Sequence, residues 1–108
     1  MSTWTTDSSG TQSATVSTEH TLAEPTTNAT YQCDVDLVNL ANGDNVELRL
    51  YVKLDGTNYR LAWKATYQHA QAVLAVISPP IASLTQLKFT LKQTAGTGRN
   101  FFWGIRRI

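Results

Sequence analysis

Strict alternation of apolar and polar residues between Val46 and Tyr67 constrains the fold of this chain more than any other feature of its sequence. A period of two is typical of β-strands that bury one face and expose the other. In the middle of the segment, Asp55-Gly56 favours a tight type I′ turn, because both residues tolerate positive φ. The segment is therefore predicted to form a β-hairpin. Its expected buried face consists of Val46, Leu48, Leu50, Val52 and Leu54 on the first strand and Tyr59, Leu61, Trp63 and Ala65 on the second.

The charged residues of this hairpin also predict its register. A two-residue loop would pair Leu50 with Leu61, whereas a four-residue loop would place Arg49 opposite Lys64. Each cross-strand pair contributes only about 0.2–1 kcal/mol, but like charges that face each other directly are unfavourable. We therefore expect the two-residue loop.

Comparable patterns recur through the rest of the chain. Tyr31–Leu37, Leu87–Leu91 and Phe101–Ile105 alternate in the same way, and turn sequences such as Asn42-Gly43-Asp44 separate the segments. Their number and spacing predict about seven strands, without a helical period long enough for a βαβ unit. A chain of 108 residues can bury a core as one domain. The expected fold class is all-β, a single antiparallel β-sandwich of the jelly-roll or immunoglobulin-like type.

The N-terminal region differs in composition from the rest. Half of residues 1–30 are Ser or Thr, and few large apolar side chains occur there. We expect residues 1–12 to form a flexible arm, residues 13–108 to form the sandwich domain, and Ser13–Leu22 to contribute one strand. Trp4 is either an incidental apolar residue of the arm or an anchor that docks on a neighbouring subunit.

Opposite charges are concentrated in different parts of the chain. Residues 1–48 contain seven acidic residues and no Lys or Arg, whereas residues 49–108 contain nine basic residues and Asp55 as their only acid, so the two parts carry −7 and +8. Two explanations remain open. Acidic early strands can lie beside basic late strands within one domain. Alternatively, the folded subunit has an acidic side and a basic side that bind other copies or an oppositely charged host surface.

The sequence contains no motif of enzymatic chemistry. GxSxG, HExxH, P-loop and CxxC patterns are absent, and His20 and His69 lie far apart along the chain. Cys33 falls on the apolar face of its strand and is expected to be a buried hydrophobic residue rather than a reactive thiol. Asp34 and Asp36 project on one side, about 7 Å apart, but without a third ligand nearby they predict a solvated or Arg-paired face. We therefore expect a protein that is not an enzyme and uses no cofactor or metal.

The sequence contains more candidate binding residues than candidate catalytic residues. Arginines and aromatic residues occur together within residues 99–107, a combination that can bind single-stranded nucleic acid. Alternation places Phe101 and Trp103 in the core, however, so we expect no nucleic-acid binding. Phe102 lies on the opposite face, where an exposed aromatic side chain indicates an interface. The candidate interface residues are Trp4, Tyr51, Phe102, Arg106 and Arg107.

Four segments together, HTLAEPTTNATYQCDVDLVNLANGD, VELRLYVKLDGTNYRL, ISPP and KFTLKQTAGTGRNFFW, resemble small all-β proteins encoded by tailed bacteriophages. The nearest functional type in that group is the capsid decoration, or cement, protein. The resemblance covers about residues 20–108 and depends on the overall pattern of the sequence, without an invariant motif. It therefore does not identify binding residues at particular positions. It implies a compact β-sandwich or jelly-roll placed as dimers or trimers over the junctions of the capsid shell, with the major capsid protein and further copies of itself as partners.

The function expected from this resemblance is that of a non-enzymatic capsid decoration protein that stabilises the phage head. The sequence has neither an apolar run of about 18 residues nor a secretion signal. We therefore expect a protein made in the host cytoplasm, located on the capsid surface of the virion and not bound to a membrane. The alternative is a receptor- or carbohydrate-binding module of a phage tail or fibre, in which Tyr51 and Phe102 would be the exposed aromatic residues that contact the ligand.

Overall fold

The computed structural model describes residues 3–83 and 86–108, which form β-strands, turns and loops. No helix within these two ranges is long and apolar enough to cross a membrane. The strands are β1 (Thr5–Ser13), β2 (Glu19–Ala23), β3 (Ala29–Asp36), β4 (Asn45–Lys53), β5 (Tyr59–Gln68), β6 (Ala75–Ile77), β7 (Ile81–Ser83), β8 (Leu87–Ala95) and β9 (Asn100–Arg107).

These strands form two antiparallel sheets. The first sheet has the order β1-β9-β3, and both β6 and β7 pair with the remaining edge of β3; the second has the order β2-β8-β4-β5. Pairing is therefore nested: β1 with β9, β2 with β8, β3 with β6 and β7, and β4 with β5. With β6 and β7 as two parts of one interrupted strand, this is the jelly-roll arrangement. The predicted all-β sandwich is confirmed, with nine strands in the described ranges instead of about seven.

The core lies between the two sheets and contains the residues that alternation predicted to be buried on β3, β4, β8 and β9. Cys33 is buried as predicted, and its burial raises the pKa of the thiol. Full burial of an aliphatic or aromatic side chain contributes about 1.5–3 kcal/mol relative to exposure. The largest fully buried side chains include Tyr31, Phe89, Phe101, Leu48, Leu50 and Ile105.

The register predicted for the β4–β5 hairpin is wrong. Leu50 pairs with Trp63 instead of Leu61, and Arg49 lies opposite Lys64. The expected repulsion between these two cations is offset by acidic neighbours, because the Arg49 guanidinium is 2.8 Å from a Glu47 carboxylate oxygen and 3.4 Å from one of Glu19. Glu19 belongs to β2, so a strand distant in sequence helps to set the register.

A β-bulge also changes which residues of β5 are buried. Trp63 pairs with Leu50 but Leu61 pairs with the next residue, Tyr51, so Ala62 is an extra residue on β5. Beyond this point the faces are exchanged, and Tyr59 and Leu61 lie on the outer face of the second sheet instead of in the core, Leu61 with 52% of its surface exposed. Leu54, also predicted to be buried, is exposed in the loop.

The N-terminal segment contains a strand of the first sheet where composition predicted a flexible arm. β1 pairs with β9 from Thr5 to Ser13, with a bulge at Asp7. The Asp7 carboxylate also lies 3.3 Å from the Arg107 guanidinium. Ser and Thr are common in both edge strands and disordered arms, and pairing with β9 favours the strand here. Residues 1 and 2 lie outside the described residues.

The predicted strand Ser13–Leu22 is divided into two elements. β1 ends at Ser13, and β2 begins at Glu19 in the other sheet. Between them Ser17 adopts a left-handed conformation with φ of 72°, which an extended strand does not permit. The sandwich therefore includes residues before position 13.

Acidic and basic residues from the two parts of the chain form ion pairs inside the subunit. Five ion pairs between described residues each join an acid from residues 1–48 to a base from residues 49–108, which favours the first of the two explanations given above. The jelly-roll topology accounts for two of these pairs, because it places β1 and β3, which carry Asp7 and Asp34, on either side of β9, which carries Arg107 and Arg106. The pairs are Asp7–Arg107, Glu19–Arg49, Asp34–Arg106, Asp44–Arg99 and Glu47–Arg49.

Candidate binding site

The outer face of the first sheet contains a groove formed where three strands meet. On β3, Asp34 and Asp36 point away from the core because they alternate with buried residues. Gly104 of β9 pairs with Asp34 from one side, and Ile77 of β6 pairs with it from the other. These outward-facing residues form the floor of the groove.

The groove has a volume of about 350 Å³, and the residues that line it include Asp34, Asp36, Val38, Leu74, Ile77 and Arg106. Gly104 leaves room beside it for the Asp34 carboxylate. A Cβ atom at Gly104 would lie 3.0 Å from Oδ1 of Asp34, closer than side-chain atoms normally approach one another. We call these six lining residues, together with Phe102, the groove face.

Large apolar side chains of the groove face are accessible to solvent. Phe102 is 63% exposed and Ile77 is 60% exposed, and Val38 and Leu74 are also exposed. Phe102 points outwards because it precedes Gly104 by two residues on β9, as the alternation predicted. A cluster of exposed apolar side chains with polar neighbours is typical of an interaction site on a folded protein.

Two carboxylates and one guanidinium set the polarity of the groove face. Asp34 forms an ion pair with Arg106, which confirms the predicted Arg-paired face for this residue. Oδ1 of Asp36 accepts a hydrogen bond from the Val38 amide at 2.9 Å and so holds the loop that follows β3. Within the described ranges, no three His, Cys, Asp or Glu side chains are grouped so that they could hold a metal ion. The groove face thus combines apolar contact area with hydrogen-bonding groups, as protein interfaces do.

The two histidines are engaged in backbone hydrogen bonds. Nε2 of His20 accepts a hydrogen bond from the Thr15 amide at 3.0 Å, and Nδ1 of His69 accepts one from the Gly43 amide at 2.9 Å. In each ring the nitrogen with the lone pair is therefore occupied by loop backbone. A general base needs that lone pair for the substrate proton, so both histidines have structural roles here.

Two of the five predicted interface residues, Phe102 and Arg106, belong to the groove face. Arg107 lies on the opposite face of β9 from Arg106 and pairs with Asp7. Trp4 precedes β1, outside the groove face, and is exposed. The structure therefore does not bring the five residues together into one site.

Tyr51 lies on the outer face of the second sheet, away from the groove. Its hydroxyl donates a hydrogen bond to Glu19 at 2.9 Å, and Nζ of Lys88 lies 4.9 Å from the ring centre. The Tyr59 ring packs against it edge-on, with ring centres 6.4 Å apart. Neighbours thus cover much of Tyr51, which is only partly exposed.

Sequence reasoning missed the three aliphatic residues of the groove face, Val38, Leu74 and Ile77. The apolar run Val73–Ile77 by itself predicts a buried strand, but β6 is a short edge strand in which only Val76 is buried. The following Pro79-Pro80 was the available signal, because proline in a sheet is confined to edges and interruptions. Val38 and Leu74 come from loops, where alternation gives no information.

Comparison with protein-family models, with curated proteins and with solved structures finds no match for this chain. The jelly-roll arrangement itself occurs in viral capsid proteins, lectins and other classes. A fold of this kind therefore does not determine function, and function must be inferred from the groove face and the chemistry of its residues.

Proposed function

We propose that this chain is a non-enzymatic structural protein of a tailed-bacteriophage virion, a capsid decoration protein that stabilises the head by binding between major capsid subunits. The observation that supports the proposal is the groove face, an exposed apolar surface of the first sheet with acidic and basic side chains beside it. The protein would be made in the host cytoplasm and bind the outside of the assembled shell, and it would also associate with further copies of itself.

The groove face has the properties that such a contact requires. Burial of its exposed apolar side chains stabilises a complex by about 25 cal/mol per Å² of apolar surface. The Asp34–Arg106 pair and the second carboxylate, Asp36, would orient the partner through hydrogen bonds. A capsid repeats the same site many times, so contacts of modest affinity add up when the bound protein is multivalent.

The remaining chemistry of the chain supports binding over catalysis. His20 and His69 are held by loop amides, and the Cys33 thiol is buried with a raised pKa. The basic residues Arg99, Arg106 and Arg107 each pair with a carboxylate of the same chain, which leaves them less able to bind nucleic-acid phosphates.

Capsids stripped of the protein provide the test. We expect the wild-type chain to rebind stripped capsids of its own phage and to restore their resistance to heat, whereas Ile77→Glu should bind at least about tenfold more weakly, a loss of about 1.4 kcal/mol. A carboxylate at this position would have to be desolvated in the contact. Co-sedimentation with capsids and the temperature of capsid disruption are the measurements.

Leu61→Glu is the matched control, because Leu61 is an outward aliphatic residue of the opposite sheet with similar exposure. This variant should bind as the wild-type chain does. Equal loss of binding in both variants would contradict a role for the groove face. A wild-type chain that neither rebinds capsids nor changes their stability would contradict the proposed function itself.

A further inference from the structure

β1 is the outermost strand of the first sheet and has an open edge. It runs for nine residues, and among the described residues no strand lies on the side away from β9. After the bulge at Asp7, residues Ser8–Ser13 pair without interruption with Asn100–Ile105. The backbone N–H and C=O groups on the free side of this regular part are therefore available to another strand, apart from the Ser13 carbonyl, which accepts a hydrogen bond from Nε2 of the Gln12 side chain at 2.9 Å.

The other edges of the two sheets carry features that discourage strand pairing. β5, at one edge of the second sheet, has Arg60 and Lys64 exposed. β2, at the other edge, has only five residues. β6 and β7 have three residues each and are separated by a segment that contains Pro79-Pro80. Charges, short strands and proline are the usual protection of sheet edges.

β1 lacks this protection along its regular part. Residues Ser8–Ser13 include no charged residue and no proline. The single charge of the strand, Asp7, lies at the bulge and is paired with Arg107 of the neighbouring strand. An approaching strand would therefore meet neither a cation nor an unpaired carboxylate.

We infer that β1 of one copy pairs antiparallel with β1 of a second copy, which joins the two first sheets into one continuous sheet. The pairing depends only on the fold, whereas its consequence for capsid binding rests on the proposed function. A second copy is the occupant that the residues favour, because β1 is complementary to itself in an antiparallel register centred on Thr11.

This register follows from the faces of β1. Ser9, Thr11 and Ser13 are exposed on the outer face, and they alternate with half-buried Gly10 and Gln12. Residues that face each other in an antiparallel pair project to the same side. Thr11 therefore faces the second copy's Thr11, and Ser9 faces its Ser13. The central Thr–Thr pair is favourable, the Ser9–Ser13 pairs are small and polar, and no like charges face each other.

The geometry of such a dimer matches the proposed function. A two-fold axis between antiparallel strands of one sheet is perpendicular to the sheet, so the outer faces of both copies lie on the same side. Thr11 pairs with Phe102 within each subunit, which places each Phe102 one strand away from the seam. A dimer would thus present two groove faces to one capsid surface and could bind two neighbouring subunits at once.

Light scattering of the purified chain tests the pairing without capsids. We expect the wild-type protein to have twice the chain mass of 11.9 kDa, and Thr11→Lys and Thr11→Glu each to be monomeric, because two like charges would meet at the axis. An equimolar mixture of the two variants should recover the dimer, since opposite charges then face each other. Thr66→Lys, a change of an exposed residue on β5, should remain dimeric.

Recovery in the mixture also separates loss of pairing from misfolding, because misfolded chains would not reassemble. A wild-type monomer or trimer, or a dimer that persists in Thr11→Lys, would overturn the inference.

Capsid binding by the same variants separates the pairing from the proposed function. Ile77→Glu should still dimerise but lose capsid binding. Thr11→Lys should bind capsids more weakly than wild type, because a monomer has a single groove face. If wild type dimerises as expected but binds no capsid, the proposed function fails and the pairing stands.

Discussion

Replacing Asp44 with alanine is expected to lower the free energy of unfolding by about 3 kcal/mol. Asp44 is 2% exposed, and its carboxylate accepts hydrogen bonds from the Ala41 amide at 2.9 Å, the Thr97 amide at 3.1 Å and Nε of Arg99 at 2.8 Å. Truncation would leave two loop amides and a guanidinium without their common acceptor. Chemical denaturation of both proteins, followed by tryptophan fluorescence, measures the difference.

The effect of Asp44 should depend on pH. Burial favours the neutral acid, but hydrogen bonds from Ala41, Arg99 and Thr97 outweigh it and hold the pKa of Asp44 below its ordinary value of 3.8. A carboxyl whose pKa is lowered by folding stabilises the protein above its unfolded pKa, and this contribution is lost as the pH falls through the folded pKa. The difference in stability between wild type and Asp44→Asn should therefore be largest near neutral pH and shrink below about pH 4. A pH-independent difference, or an Asp44→Ala protein as stable as wild type, would contradict this role.

Asp44 also connects the stability of the fold to the groove face. The loop between β3 and β4 begins near Val38, which lines the groove, and ends at Asp44. Its backbone is further held by a hydrogen bond from the Leu37 amide to the Leu74 carbonyl at 2.8 Å. Loss of the Asp44 carboxylate should therefore loosen one wall of the groove as well as destabilise the sandwich.

Alternation predicted the core because burial on one face of a strand is a local property of the sequence. Leu48 and Leu50 on β4, and Phe101 and Ile105 on β9, are buried as the period of two required. Register is not a local property. Lys64 lies opposite Arg49, and the guanidinium of Arg49 is paired with Glu47 of the same strand and also with Glu19 of β2. No rule based on the hairpin alone includes the Glu19 carboxylate.

The groove face could be predicted only in part for the same reason. Phe102 and Arg106 stand out within one strand, so the sequence identified them. Val38 lies in one segment and Leu74 and Ile77 lie in another, and the nested order of the sheets brings the two segments together. Likewise, the Ser- and Thr-rich composition of residues 5–13 is compatible with an arm or an edge strand, and the partner strand β9 is more than 80 residues away.

Replacing Gln93 with leucine is the second substitution with a large expected effect, a loss of about 2–3 kcal/mol of unfolding free energy. The Gln93 side chain is fully buried, and its Nε2 donates to the carbonyls of Ala95 at 3.0 Å and Thr97 at 2.6 Å, while its Oε1 accepts from the Arg99 amide at 3.1 Å. Leucine is similar in size but cannot make these bonds, so three backbone groups at the end of β8 and in the loop that follows it would lose their partner. Urea denaturation measures the loss.

Gln68→Leu is the control for this substitution, because Gln68 is an exposed glutamine near the end of β5, and exposed substitutions usually change stability by less than about 0.5 kcal/mol. Gln93 and Asp44 both bond to Thr97 and Arg99. The double variant Asp44→Ala/Gln93→Leu should therefore lose less stability than the sum of the single variants, since either change already releases the same loop. Additive losses, or a Gln93→Leu protein no less stable than Gln68→Leu, would show that the two side chains do not hold this loop jointly.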